Sequence, residues 1–254
     1  VAELANLLYC EFLKLKRSKM FLISFFGALV APIFMLANHI GAHFRRPDVI
    51  FNMASFYDDT LMFTLLLIGP IVYVVVVAYL FSREYTENTL KTILTIPIKK
   101  TTFIISKFAM LFVWLIFLSL ISWVGTSIFS VIFHAVFGLS EIGAAVAFDY
   151  LVRFMLGGMF MFFVVTPFAF LAVWTKGFVV PLIAAAVVMT GNMMLMNTNF
   201  NAIYPWTIPA HFVLSNEILH PPVYPYPIMI GSIAIVSALG FISSVVLFHS
   251  EDVN

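Results

Sequence analysis

Between Arg83 and Lys107 the chain carries seven of its 25 charged side chains, in a protein that is 63% hydrophobic. Charges at the spacing of Glu84, Glu87 and Lys91 suit ion pairing with another surface, not bond-making chemistry. Such an island is either a loop that only needs water or a handle gripped by something soluble. Other residues invite chemistry more weakly. His39 and His43 stand four apart, so a helix would place both imidazoles on one face, but zinc would need a further ligand and Asp48, Asp58 and Asp59 are only loosely placed. Arg45, Arg46 and Arg153 with neighbouring carboxylates could hold a pyrophosphate, though they are scattered. Asn192, Asn197, Asn199 and Asn201 lead into a segment bearing Trp206 and could line a path for a polar ligand; helix caps and turns explain these amides equally well. Cys10 has no partner for a disulfide, and it reads either as a small helix-face residue or as a reactive thiol.

What is missing narrows the field. There is no G-x-x-x-x-G-K-[ST] phosphate loop, no H-E-x-x-H, no G-x-S-x-G and no cysteine pair, so the chain is not expected to hydrolyse ATP or to act as an enzyme by itself. No clear Asp, Glu, Lys, Arg or His falls at the middle of an apolar run, where ion-coupled transporters usually need one. If the protein moves something uphill, the energy must come from another chain.

These residues have to be positioned by apolar helices. A charged fraction of 10% and a mean hydropathy of +1.07 exclude a soluble domain. About 20 apolar residues cross a hydrocarbon core, and backbone groups in lipid must bond internally, so the runs predict an all-α polytopic membrane protein. Six spans are expected at about 20–40, 60–82, 108–133, 150–174, 178–196 and 226–248, within one transmembrane domain covering 1–254. A tight turn at Thr175-Lys176-Gly177 must separate the fourth from the fifth. No cleavable signal is evident, so the first span should be retained. An N-terminus inside would put ten Lys and Arg on the cytoplasmic side (Lys14, Lys16, Arg17, Lys19, Arg83, Lys91, Lys99, Lys100, Lys107, Lys176) and leave Arg45, Arg46 and Arg153 outside. With six spans, both termini are then cytoplasmic. The net charge of +1 gives no reason to expect nucleic acid.

Around the spans, Leu4, Leu7, Leu8, Phe12 and Leu15 recur at helical spacing, predicting an amphipathic helix on the inner lipid surface with Glu11, Lys14, Arg17 and Lys19 among its polar positions. Arg83–Pro97 also reads as a short helix. Leu90, Ile93 and Leu94 share a face with Thr86 one turn back, while Glu84, Glu87, Asn88 and Lys91 are polar. Glu87 and Lys91 have the favourable i,i+4 order, Pro97 ends the helix, and Thr101 or Thr102 can cap the third span. Force on that helix would move both neighbouring spans. Pro70 and Pro167 predict kinks, and Gly157-Gly158 a close-packing face. Asp149 and Arg153 should pair across one turn. The segment from Asn197 to Pro225 is too apolar and aromatic for a wet loop and should dip into the outer interface, its backbone buried in protein or lining a cavity.

The stretch R-E-Y-T-E-N-T-L-K-T-I-L-T-I-P-I-K-K-T-T-F-I-I-S-K resembles the cytoplasmic coupling segment of ABC exporter permeases of the second type. Glu84 and Glu87 match the family's acidic positions, Thr89 its Thr, Pro97 its Pro and Lys107 the Lys that opens the third span. Asn88 stands where Gly is usual and tolerates a left-handed turn best among non-Gly residues. With the entry segment E-F-L-K-L-K-R-S-K, the chain looks most like permeases of bacitracin-resistance and lantibiotic-immunity exporters. The resemblance implies a half-transporter in the bacterial plasma membrane, paired with a second or related permease and docked to a separate ATPase through Arg83, Glu84, Glu87, Asn88, Thr89, Leu90, Lys91 and Pro97. ATP and Mg would be bound by that partner, with no cofactor on this chain. The substrate implied is a peptide antibiotic. Two other readings remain at this point: a membrane enzyme acting on lipid-linked cell-wall precursors, and a non-transporting immunity protein that sequesters the peptide.

Overall fold

A computed structural model describes residues 2–46, 48, 50–89, 99–214 and 224–250. The elements are α1 (Ala2–Lys16), α2 (Lys19–Arg45), α3 (Met53–Thr86), α4 (Lys100–Phe137), α5 (Ala144–Thr175), α6 (Val179–Leu195), the short α7 (Ile208–Val213) and α8 (Tyr226–Ser250). Five of these are long and apolar enough to cross a membrane, and α6 is a shorter apolar helix of 17 residues. The expected all-α polytopic architecture is present. Most helices outrun the apolar runs that announced them: α3 begins at Met53, not Thr60, and α4 at Lys100, not Phe108. At 1.5 Å per residue α4 is about 57 Å long, well beyond a 30 Å hydrocarbon core, so its ends project into the interfaces.

Helix α5 lies against α4, α3 and α8, and the close approaches use small residues. Gly157 accepts the Leu65 side chain of α3, Gly158 meets Ser119 of α4, and Gly240 of α8 lies on the backbone of Thr166 and Pro167. A side chain at Gly240 would overlap that backbone. The outward faces remain apolar, as Leu22, Ile23 and Phe26 on α2 and Ile235, Leu239 and Ile242 on α8 illustrate. Between α5 and α6 the chain turns at Lys176, which takes a left-handed φ of 50°. The tight turn expected there is real.

Three prolines interrupt the hydrogen-bond ladders inside these helices, and each interruption is repaired. A proline lacks the N–H that would serve the carbonyl four residues earlier, and an unserved carbonyl in lipid is expensive. Below Pro32 the Ala28 carbonyl accepts from Ser122 Oγ of α4 at 2.7 Å. Below Pro70 the Leu66 carbonyl accepts from Asn192 Nδ2 of α6 at 3.0 Å. Below Pro167 the Phe163 carbonyl accepts from Thr166 Oγ at 2.9 Å, and the same hydroxyl lies 3.2 Å from the Ser237 carbonyl of α8. The irregularity expected at Pro70 takes the form of a π-turn, Thr64–Ile68, just before it. Gly69 is required there, because a Cβ would overlap the Thr64 carbonyl.

Candidate functional site

At the basic end of the bundle, Arg83 to Thr86 form the last turn of α3, not the start of a separate helix. The helix stops in a Schellman motif. Asn88 adopts a left-handed φ of 54°, its N–H reaches the Tyr85 carbonyl at 3.3 Å, and the Thr89 N–H reaches the Glu84 carbonyl at 3.1 Å. A helix running unbroken from Arg83 to Pro97 is therefore ruled out by the reversal at Asn88. The turn anticipated for an Asn in a glycine position is what forms. Leu90, Lys91, Ile93, Leu94 and Pro97 lie outside the described residues. On the described part of the segment Glu87 pairs backward with Arg83, whose Nε is 3.0 Å from both carboxylate oxygens, and Thr86, Glu87 and Asn88 are exposed.

Glu84 points the other way. It is 2% exposed, and its carboxylate sits in a four-charge cluster that the sequence pattern did not reveal. Lys107 Nζ of α4 lies 2.6 Å from Glu84 Oε2, 3.4 Å from Glu11 Oε2 of α1 and 2.6 Å from the Leu80 carbonyl. Lys14 Nζ of α1 lies 2.9 Å from Glu11 Oε1 and 3.3 Å from Glu84 Oε1. Both ammonium groups also stand over the Phe103 ring. Two carboxylates and two ammonium groups balance. Burial alone would push the Lys14 ammonium down, but Glu11 and Glu84 outweigh it and hold its pKa above the usual lysine range. The periodicity of α1 placed Glu11 among the polar residues and Phe12 on the apolar face; the packing reverses them, burying Glu11 and leaving Phe12 exposed. The signal available beforehand was the presence of two acids, Glu11 and Glu84, and two lysines, Lys14 and Lys107, beside long apolar runs.

The geometry has a mechanical consequence. Glu84 lies just before the chain leaves α3, and Lys107 lies in the second turn of α4, so their contact clamps the two ends of the intervening segment together. Glu11 and Lys14 add α1 to the same clamp. A push on the segment after Asn88 is thus shared by three helices. At the start of α4 the N-cap is Lys99 with no side-chain bond, so Thr101 and Thr102 lie within the first turn and do not cap it.

The residues proposed for a substrate path divide. Asn192 is fully buried and occupied with the Leu66 carbonyl, while its Oδ1 has no hydrogen-bond partner among the described residues. Trp206 is half-buried and donates its indole N–H to the Val164 carbonyl at 2.9 Å. Asn197 and Asn199 are exposed in the turns after α6. Val164 lies about 16 Å from the Thr175 end of α5 at 1.5 Å per residue, so the chain after α6 re-enters the bundle deeply before α7 climbs back. Tyr204 donates to the Val188 carbonyl at 3.2 Å, Ser232 of α8 to the Ile203 carbonyl at 3.0 Å, and Arg153 to the Val213 carbonyl at 3.2 Å. Ala202, Ile208, Ala210 and Val213 are buried. Among the non-helical positions Asn201, Ala202 and Thr207 are buried while Asn197, Asn199, Phe200 and Ile203 are exposed, so protein shelters part of this segment. Pro221, Pro222 and Glu217 lie outside the described residues.

The remaining candidates at that end sit apart. Arg153 pairs with Asp149 at 2.7 Å, as their spacing indicated. Arg45 and Arg46 line a different cavity with Ala42 and Phe51. His39 is buried among Phe51, Phe56 and Phe133, with Nε2 3.4 Å from Asp59, and His43 packs at a tilt against Phe137. Among the described residues no three His, Cys, Asp or Glu side chains gather as metal ligands would. Cys10 is exposed on α1.

Comparison with known proteins bears on this architecture directly. The family described as ABC-2 family transporter protein matches residues 7–192. The chain is also 33% identical over 210 residues to the bacitracin transport permease protein BCRB of Bacillus licheniformis, an alignment that covers 83% of this chain and 98% of that protein.

Proposed function

Since the chain belongs to the ABC-2 family of transporter proteins, we propose that it is the membrane-spanning permease subunit of an ATP-driven exporter that removes a bacitracin-like or lantibiotic-like peptide from the bacterial plasma membrane. One observation carries the coupling: the buried Glu84–Lys107 contact, reinforced by Glu11 and Lys14, joins both ends of the charged segment. In this reading a separate ATPase, holding ATP and Mg, grips the surface beginning at Arg83, Glu87, Asn88 and Thr89 and continuing through Leu90, Lys91 and Pro97. Glu84 transmits the load from inside and does not touch the partner. The basic end faces the cytoplasm, six crossings return both termini there, and two permeases pair to enclose the path.

The related Bacillus licheniformis protein is a bacitracin transport permease, which supports the substrate class. The re-entrant aromatic segment supports an amphipathic, lipid-seeking cargo, since Tyr204, Trp206 and the amides of Asn197 and Asn199 offer ring and amide contacts with few charges. The test is copurification of the chain with its ATPase followed by ATP hydrolysis with and without bacitracin. Hydrolysis that rises with the peptide is the expected result. An ATPase that binds but ignores every peptide offered would overturn the substrate class. Glu87→Lys should insert normally and recover less ATPase in a pull-down, and equal recovery would remove Glu87 from the docking surface.

A further inference from the structure

A cavity of about 420 Å³ opens in the crook between α1, the start of α2 and the end of α3, lined by Leu13, Lys14, Arg17, Ser18, Tyr79, Arg83 and Glu87. Three cations face one carboxylate. Lys14 is already engaged by Glu11 and Glu84, and Arg83 gives its Nε to Glu87, while Arg83 Nη1 is covered and has no hydrogen-bond acceptor among the described residues. Arg17 is exposed at the rim. Ser18 is the N-cap of the 27-residue α2, yet its hydroxyl bonds backward to the Leu15 carbonyl and caps nothing, so the first N–H groups of α2 gain no side-chain acceptor at the cavity. Cations lining a cavity beside an uncapped helix start are what a phosphate oxygen requires.

The lipid-facing surface beside it indicates which phosphate. Ser18, Leu22 and Phe26 follow one another at i,i+4 along a single stripe of α2, and Leu22 and Phe26 are 56% and 62% exposed. A headgroup seated at Ser18 would lay its acyl chains along that stripe without leaving the bilayer. We propose that this cavity is a binding site for an anionic phospholipid, its phosphodiester held by Arg17, Arg83 and the start of α2. The proposal does not require the exporter reading, although Arg83 and Glu87 border both this cavity and the surface assigned there to the ATPase.

The experiment uses the purified full chain in non-ionic detergent, where a diffuse membrane surface potential is absent. Retention of added phosphatidylglycerol and phosphatidylcholine is measured by native mass spectrometry. One phosphatidylglycerol should be retained about tenfold more tightly than phosphatidylcholine, and Arg17→Gln should remove about that factor, the scale of one charge-assisted bond. Lys16→Gln, which deletes the same charge at the neighbouring exposed position outside the cavity, should change retention less than about twofold if the site is built and not diffuse. Equal retention of the two lipids, or equal losses in the two variants, overturns the site. Displacement of the lipid by millimolar inorganic phosphate alone would assign the cavity to a free anion and overturn the lipid.

Discussion

Replacing Asn192 with Leu tests whether the α6 amide is present because Pro70 broke the ladder of α3. The side chain is fully buried and its Nδ2 is the donor that reaches the Leu66 carbonyl, 3.0 Å away. Removing that donor strands a buried carbonyl, worth about 1–3 kcal/mol, but the same substitution also removes an Oδ1 that has no partner among the described residues. The two effects oppose and are of similar size, leaving a net change of about 0–2 kcal/mol, so the coupling measured next is the decisive quantity. Pro70→Ala restores an N–H that can serve Leu66 from within α3. In that background Asn192→Leu should lose most of its effect, giving a coupling of about 0.6–1.7 kcal/mol, the range seen for polar contacts between membrane helices. The assay is reversible unfolding in mixed micelles across a denaturant series, run on wild type, both single variants and the double variant. Additive effects, with a coupling below about 0.3 kcal/mol, would show that Asn192 does not repair the proline and would sink the reasoning.

Other expectations follow from the basic end. Lys107→Met leaves Glu84 and Glu11 buried with only Lys14 for company, and should destabilise the chain by about 3–5 kcal/mol in the same unfolding assay, whereas Lys107→Met with Glu84→Leu should cost much less. Asn88→Gly should be neutral or slightly stabilising at its left-handed φ, and Asn88→Val should lose about 1–2 kcal/mol; equal stability of the two would count against the Schellman stop. Because the Lys14 pKa is raised on folding, its contribution is complete below the ordinary lysine value and is lost only as pH rises through the higher folded value. Thermal stability of wild type and Lys14→Met should therefore differ by a constant amount from pH 6 to 9 and converge only above about pH 10.5.

The all-α class and the order of the apolar helices were readable because long apolar runs have one outcome in lipid, although of the six expected spans five are long enough to cross and the fifth in order, α6, is a shorter apolar helix. The ends were not, because interfacial residues such as Lys100 to Lys107 are too polar to register as span and yet continue the helix. Lys107 itself looked like a boundary marker and is instead a buried ion partner. Asn88 was legible for a local reason: a left-handed stop depends on one residue and its own backbone. Asn192 and Trp206 were picked out as polar or amphipathic residues in an apolar setting, which is a sound reason to expect function. Their amides and indole N–H turned inward for carbonyls on Leu66 and Val164, contacts that lie 126 and 42 residues away and leave no local trace. The fourfold ion cluster was hidden for the same reason, since Glu11 and Lys107 are 96 residues apart.

The repaired prolines also set an order of manufacture. The Phe163 carbonyl has its donor within its own turn and is satisfied as soon as α5 coils. The Ala28 carbonyl waits for Ser122, 94 residues later in synthesis, and the Leu66 carbonyl waits for Asn192, 126 residues later. Until then α2 and α3 each carry a bare polar notch that pure hydrocarbon penalises. In order of synthesis, α6 is therefore the helix that closes the last of these gaps, for a carbonyl laid down in the first half of the chain.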